Sequence, residues 1–225
     1  MKINYCLPVI KSKKAQVLDL INDNIGEYDY FEIWLDYIED LEEKFILQII
    51  KLLGEKAIFL FRRKNLEQAK IDLKKRFKII SLLSTSNSFL DLDIFDQKNE
   101  LEYVTNNYPE SKIIVSYHNY DKTSDDKEIL KIVEEINEYK PYILKIATMC
   151  KNPRDALRLL QLLSDLKDKD KRCIILGMGE FGKITRVFGT LLGNEMVFAP
   201  KNLDESSAQG QLTKEQLEKI FETLK

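Results

Sequence analysis

Eight short runs rich in β-branched and aromatic residues recur along the chain, over residues 3–10, 30–38, 57–62, 89–95, 112–118, 142–148, 173–178 and 195–199. Between them apolar residues return with helical spacing, over 15–24, 39–53, 66–83, 98–107, 124–139, 152–167 and 183–193, and a last such segment covers 213–225. Strand runs alternating with helical runs at roughly 30-residue spacing predict βαβ units and a parallel sheet. Eight units in a chain of 225 residues predict an α/β architecture, a (β/α)8 TIM barrel of eight parallel strands. No linker-like or low-complexity stretch interrupts the series, so residues 1–225 read as a single barrel domain. Thr123-Ser124-Asp125-Asp126 and Thr213-Lys214-Glu215-Gln216 both fit the capping-box pattern at the start of a helix.

Charge narrows the function classes. The chain has 35 basic and 37 acidic residues, a formal net charge of -2, and the two signs are interspersed. That balance offers no electrostatic footprint for nucleic acid or for an anionic membrane. The three cysteines, Cys6, Cys150 and Cys173, are widely spaced and lie in or beside apolar runs, as expected of buried thiols in a reducing compartment. With one histidine and no C-x-x-C pair, no metal site of ordinary ligand spacing is expected. The apolar opening is too short for a signal peptide, and no run of 18 apolar residues occurs, so a cytoplasmic protein without a membrane span is expected.

Two residues stand where a core strand does not ordinarily place them. Lys145 sits in the middle of Pro141-Tyr142-Ile143-Leu144-Lys145-Ile146-Ala147-Thr148-Met149, and His118, the sole histidine, closes Ile113-Ile114-Val115-Ser116-Tyr117-His118. Burial disfavours the charged form of a lysine, and the neutral amine is the species that attacks a carbonyl, so the pattern points to Schiff-base chemistry. Strand periodicity puts Ile114, Ser116 and His118 on one face and Ile143, Lys145 and Ala147 on one face. If those faces point inward, both residues project into the mouth at the C-terminal strand ends, where barrel active sites form. A structural histidine at a strand end, or an ion pair of Lys145 with an inward Asp91 or Asp93, is the competing reading. Gly177-Met178-Gly179-Glu180-Phe181-Gly182 is a literal G-x-G-x-x-G. It falls on the seventh strand, with no acidic residue ending a following strand of a Rossmann half, and reads as a tight barrel loop.

Four segments in order carry a family resemblance: Ser116-Tyr117-His118-Asn119-Tyr120, Ile143-Leu144-Lys145-Ile146-Ala147, Met178-Gly179-Glu180-Phe181-Gly182-Lys183-Ile184-Thr185-Arg186 and Ser207-Ala208-Gln209-Gly210-Gln211. With Phe59-Leu60-Phe61-Arg62 and Leu90-Asp91-Leu92-Asp93 they resemble the type I 3-dehydroquinate dehydratases, (β/α)8 enzymes of the shikimate pathway, which makes aromatic amino acids. The resemblance implies a cofactor-free hydro-lyase in which Lys145 forms an imine with the substrate ketone and His118 moves protons during loss of water. It also implies Arg186 as the carboxylate clamp, Ser207 and Gln211 on a lid loop, and Glu32 and Arg62 lining the site. The partner implied is a small hydroxylated cyclic keto acid, and the family is often homodimeric. Three positions depart from the family pattern. Trp34 stands where an arginine is usual, Leu66 falls on an acidic position with Glu67 one step away as a possible replacement acid, and Gln209 replaces a common proline. These departures keep open a Schiff-base lyase or aldolase of altered specificity, and a catalytically poor relative.

Overall fold

The computed structural model describes residues 2–61 and 71–224. Among them eight strands alternate with eight α-helices: β1 (Tyr5–Val9), α1 (Lys14–Asn22), β2 (Tyr30–Trp34), α2 (Glu43–Leu53), β3 (Ala57–Leu60), α3 (Leu73–Ser84), β4 (Phe89–Asp93), α4 (Lys98–Asn107), β5 (Ile113–Asn119), α5 (Asp126–Glu138), β6 (Ile143–Met149), α6 (Pro153–Lys167), β7 (Cys173–Met178), α7 (Gly179–Leu191), β8 (Val197–Phe198) and α8 (Lys214–Thr223). This is the element order of a (β/α)8 barrel. The chain forms two compact units, Pro8–Ile114 and Met1–Leu7 with Val115–Lys225.

In the Pro8–Ile114 unit β3 lies between β2 and β4, parallel to both, with Glu32 beside Ile58 and Trp34 beside Leu60. Helix α2 turns Phe45, Ile46, Ile49 and Leu53 inward at helical spacing, which is the stripe a barrel helix needs to cover its strands. The apolar run over 30–38 yields a strand only as far as Trp34, because Leu35–Tyr37 coils into a 3-10 turn.

In the other unit β6 lies beside β7 in parallel, pairing Lys145 with Ile174 and Ala147 with Leu176. Strand β8 is two residues long and pairs with β1, Phe198 beside Cys6. The edge of β7 is joined to the segment entering β8 by a side chain. Asn194 accepts from the Ile175 amide at 2.8 Å and donates to the Ile175 carbonyl at 2.9 Å, and the Glu195 amide donates to the Cys173 carbonyl at 3.0 Å.

Helix starts obey local chemistry, with one revision. Thr213 and Gln216 form the expected capping box of α8. At α5 the cap is Asp125, whose carboxylate accepts from the Glu128 amide. Thr123 is not the cap, because its hydroxyl is bonded to the Thr148 hydroxyl at 2.9 Å and to the Met149 carbonyl at 3.0 Å. Helix α7 begins four residues earlier than periodicity suggested, at Gly179, since two glycines in its first turn mask the helical signal.

Candidate active site

Lys145 is the third of seven residues in β6 and only 5% exposed. Its Nζ lies 4.6 Å from the centroid of the Phe198 ring, and Phe198 is itself buried. The two come from β6 and β8, and alternate strands of a barrel fill a common interior layer. A charged Nζ in such surroundings has lost most of its water, so the ring face provides part of what hydration would have provided. Sequence reading missed Phe198. An aromatic residue in a strand is the default core residue, and only its tertiary position beside a lysine distinguishes it.

His118 lies at the end of β5, half-buried, its ring stacked on Tyr120 with centroids 6.4 Å apart. The chain just after it is pinned. The Asn119 carboxamide oxygen accepts from the amides of Asp121 and Lys122, and its nitrogen donates to the Tyr117 hydroxyl at 3.1 Å. An Asx turn of this kind fixes where the strand stops and hence where the imidazole leaves it.

The G-x-G-x-x-G segment is a tight strand-to-helix turn. A side chain on Gly182 would collide with the Gly177 backbone, so the two glycines let α7 press against β7. Thr185 locks that contact, accepting from the Gly177 amide and donating to the Gly182 carbonyl, both at 2.7 Å. The next residue, Arg186, is thereby carried inward and is 2% exposed. None of its three guanidinium nitrogens has a hydrogen-bond partner among the described residues. Burial pushes its pKa down to about 10, and the charge set against that penalty is the Cys150 thiolate. Burial also pushes the Cys150 thiol up, so at neutral pH it is uncharged and offers the arginine nothing. A buried cation without a counter-charge is costly unless an anion comes to it.

The loop carrying Ser207 and Gln211 is knit together and tied to α7. Gln211 accepts from the Ser207 amide at 2.9 Å and donates to the Ser207 hydroxyl at 2.8 Å. The Gly179 amide, at the first position of α7, donates to the Gln209 carbonyl at 3.1 Å. A proline at Gln209 would keep that carbonyl, so the departure there leaves the tie intact. Gly210 has φ +81, and a Cβ on it would run into the Gly179 carbonyl oxygen. Gly210 is therefore what allows the loop to dock so closely.

In the Pro8–Ile114 unit Glu32 is buried on β2, and the Trp34 indole N–H donates to its carboxylate at 2.9 Å. The tryptophan that departs from the family pattern thus supplies a donor to the buried acid. Asp93 accepts from the Phe95 and Asp96 amides and so closes the turn after β4. Arg62, Leu66 and Glu67 lie outside the described residues.

Comparison with known proteins converges on one group. The family model described as type I 3-dehydroquinase matches residues 5–225. A 3-dehydroquinate dehydratase of Methanococcus maripaludis is 30% identical over 227 residues, covering 97% of this chain and 99% of its own. Among solved structures, the 3-dehydroquinate dehydratase of Geobacillus kaustophilus superposes with a TM-score of 0.84 at 23% identity, covering 100% of this chain and 91% of that one. The type I enzyme of Clostridium difficile, solved with covalently modified comenic acid, gives 0.85 at 22% identity, covering 99% and 92%. These likenesses show the same barrel fold.

Proposed function

The chain belongs to the type I 3-dehydroquinase family, and we propose that it carries out the family's dehydration with Lys145 as the imine-forming amine, His118 as the proton carrier and Arg186 as the anchor for the substrate carboxylate. The reaction is the conversion of 3-dehydroquinate to 3-dehydroshikimate and water, the work of a hydro-lyase. Neutral Lys145 adds to the ketone, and loss of water from the adduct gives a protonated imine. That cation acidifies the neighbouring carbon; His118 takes a proton from it, leaving an enamine, and returns a proton to the departing hydroxyl. Hydrolysis of the conjugated imine frees product and amine. The residues use no cofactor in this scheme.

The observation that carries the reading is Lys145 itself, a lysine 5% exposed at an interior strand position. Arg186 supports it, since a buried guanidinium without protein partners among the described residues suits a ligand that brings its own carboxylate. Ser207 and Gln211 then serve as the lid, and Glu32 with Arg62 as residues that line the substrate site, with Glu67 as a replacement acid. The test is borohydride reduction in the presence of 3-dehydroquinate. We expect a covalent mass on Lys145, and none in Lys145→Met. A tryptic map with Lys145 unmodified at saturating substrate would falsify the assignment.

The same reading takes residues 1–225 as one catalytic domain, because the family match runs almost from end to end. No helix among the described residues is long and apolar enough to cross a membrane, and the three cysteines are free and buried, which supports a reducing cytoplasm. A homodimer is supported by α7, whose outer face presents Phe181, Ile184, Phe188 and Leu191, followed by Leu192, all exposed. A cluster of exposed large apolar side chains on one helix is the kind of patch that marks a protein interface.

A further inference from the structure

We propose that Phe198 is a positioning residue for the reaction, its ring face holding the positive charge that develops at Lys145 Nζ as the protonated imine forms. The inference rests on the reading of Lys145 as the imine-forming amine. Three observations carry it. Nζ stands 4.6 Å from the ring centroid, inside the roughly 6 Å within which a ring quadrupole attracts a cation appreciably. Both partners are buried, Lys145 at 5% and Phe198 at 4% exposure, so water does not screen the attraction. The ring is also held from both sides. The flanking amides of Val197 and Ala199 donate to the Asn4 and Cys6 carbonyls, and the segment just before β8 is fastened to β7 through Asn194 and Glu195.

An aromatic face can stabilise charge at Nζ without acting as a base. A phenyl ring has neither a proton to give nor a lone pair to take one, so it leaves the proton transfers to other groups. Charge at Nζ appears and disappears through the cycle. The amine must be neutral to attack; loss of water from the adduct creates a cation; proton removal quenches it; and expulsion of the hydroxyl creates it again. A ring beneath Nζ therefore favours the two steps in which positive charge develops, carbinolamine dehydration and elimination. It touches the reacting nitrogen's charge and no acidic proton, so its effect runs through Lys145.

Stepwise fluorination of the ring separates this role from packing. Phe198 is replaced in the full-length chain by 4-fluoro-, 3,5-difluoro- and 3,4,5-trifluorophenylalanine, which nearly preserve its shape while weakening the face in increments. The readout is the rate at which borohydride-trappable adduct forms on Lys145 with 3-dehydroquinate, beside the thermal midpoint of each protein. The expected result is a fall by a similar factor per fluorine, about tenfold across the series, at unchanged midpoint, with Phe198→Leu at or below the end of the line. A flat fluorine series would overturn the proposal even if Phe198→Leu were inactive, since only packing would then have been lost. Absence of any adduct in the unsubstituted protein would instead remove the imine reading, and the proposal with it.

Discussion

Arg186 is where the fold and the chemistry ask for opposite things. Its guanidinium is buried with no hydrogen-bond partner among the described residues, and its pKa falls to about 10 through burial. A depression of that size corresponds to about 3 kcal/mol of native-state penalty for the charged form. The sign follows from linkage. A cation whose folded pKa lies below its unfolded one is disfavoured by folding at every pH below the folded value, so the whole penalty is present at pH 7 and begins to lift only as pH rises towards 10. Arg186→Met keeps a long flexible stem and removes the charge. The ligand-free variant should therefore be more stable than the parent by on the order of 1 to 3 kcal/mol, each kcal/mol worth about 2 to 4 °C in a chain of this length. The gain should be constant between pH 6 and 9. Turnover should move the other way, with kcat/KM lower by roughly 10^2 to 10^3, because a charge-assisted anchor worth about 3 to 4 kcal/mol is gone. Scanning calorimetry with and without 3-dehydroquinate reads both sides, since substrate should raise the midpoint of the parent and leave that of the variant nearly unmoved. A ligand-free Arg186→Met that melts several degrees below the parent would refute the reasoning, for the guanidinium would then be holding the fold together.

Two further outcomes are expected. His118→Ala should lose roughly 10^2 to 10^4 in turnover while still allowing some imine to form on Lys145, so trapping persists as product formation collapses; near-parental turnover would reassign His118 to structure. Phe188→Glu, which places a charge in the apolar face of α7, should convert a dimer to a monomer in sedimentation equilibrium with little change in thermal midpoint. A dimer that survives the substitution would put the contact elsewhere, and a monomeric parent would remove the dimer altogether.

The alternation of runs was enough to read the fold, because each βα repeat must bury one apolar stripe against one strand and the sequence spells that out eight times. Where it misled, a local competitor was at work. The pattern over 30–38 continues its apolar spacing through Leu35–Tyr37, yet the chain coils there. Thr123 looked like a cap but its hydroxyl was committed to Thr148 and Met149, leaving Asp125 to serve. Strand β8 shrank to Val197–Phe198, with Pro200 just beyond, where no amide can extend a ladder. Within the candidate site, Lys145 and His118 stand out in the sequence because such residues are rare in core strands. Phe198 and the isolation of Arg186 do not. Each is a property of what else arrives nearby, and spacing along one chain does not report it.

The amide clasp of Asn194 on Ile175 bears on how this molecule can change over evolutionary time. A barrel whose last strand must complete a full ladder ties the residues after that strand to a fixed register. Here one carboxamide, bonded through both of its polar atoms, joins the β7 edge before β8 begins, and only two residues of β8 are needed to seat Phe198. Everything from Pro200 to Thr213, the proposed lid loop included, is thereby released from the duty of holding the sheet. Insertions, deletions and substitutions can accumulate in that loop while the sheet beneath it keeps its geometry. The segment proposed to close over the substrate and the segment that completes the sheet are adjacent in sequence, yet selection can act on them separately.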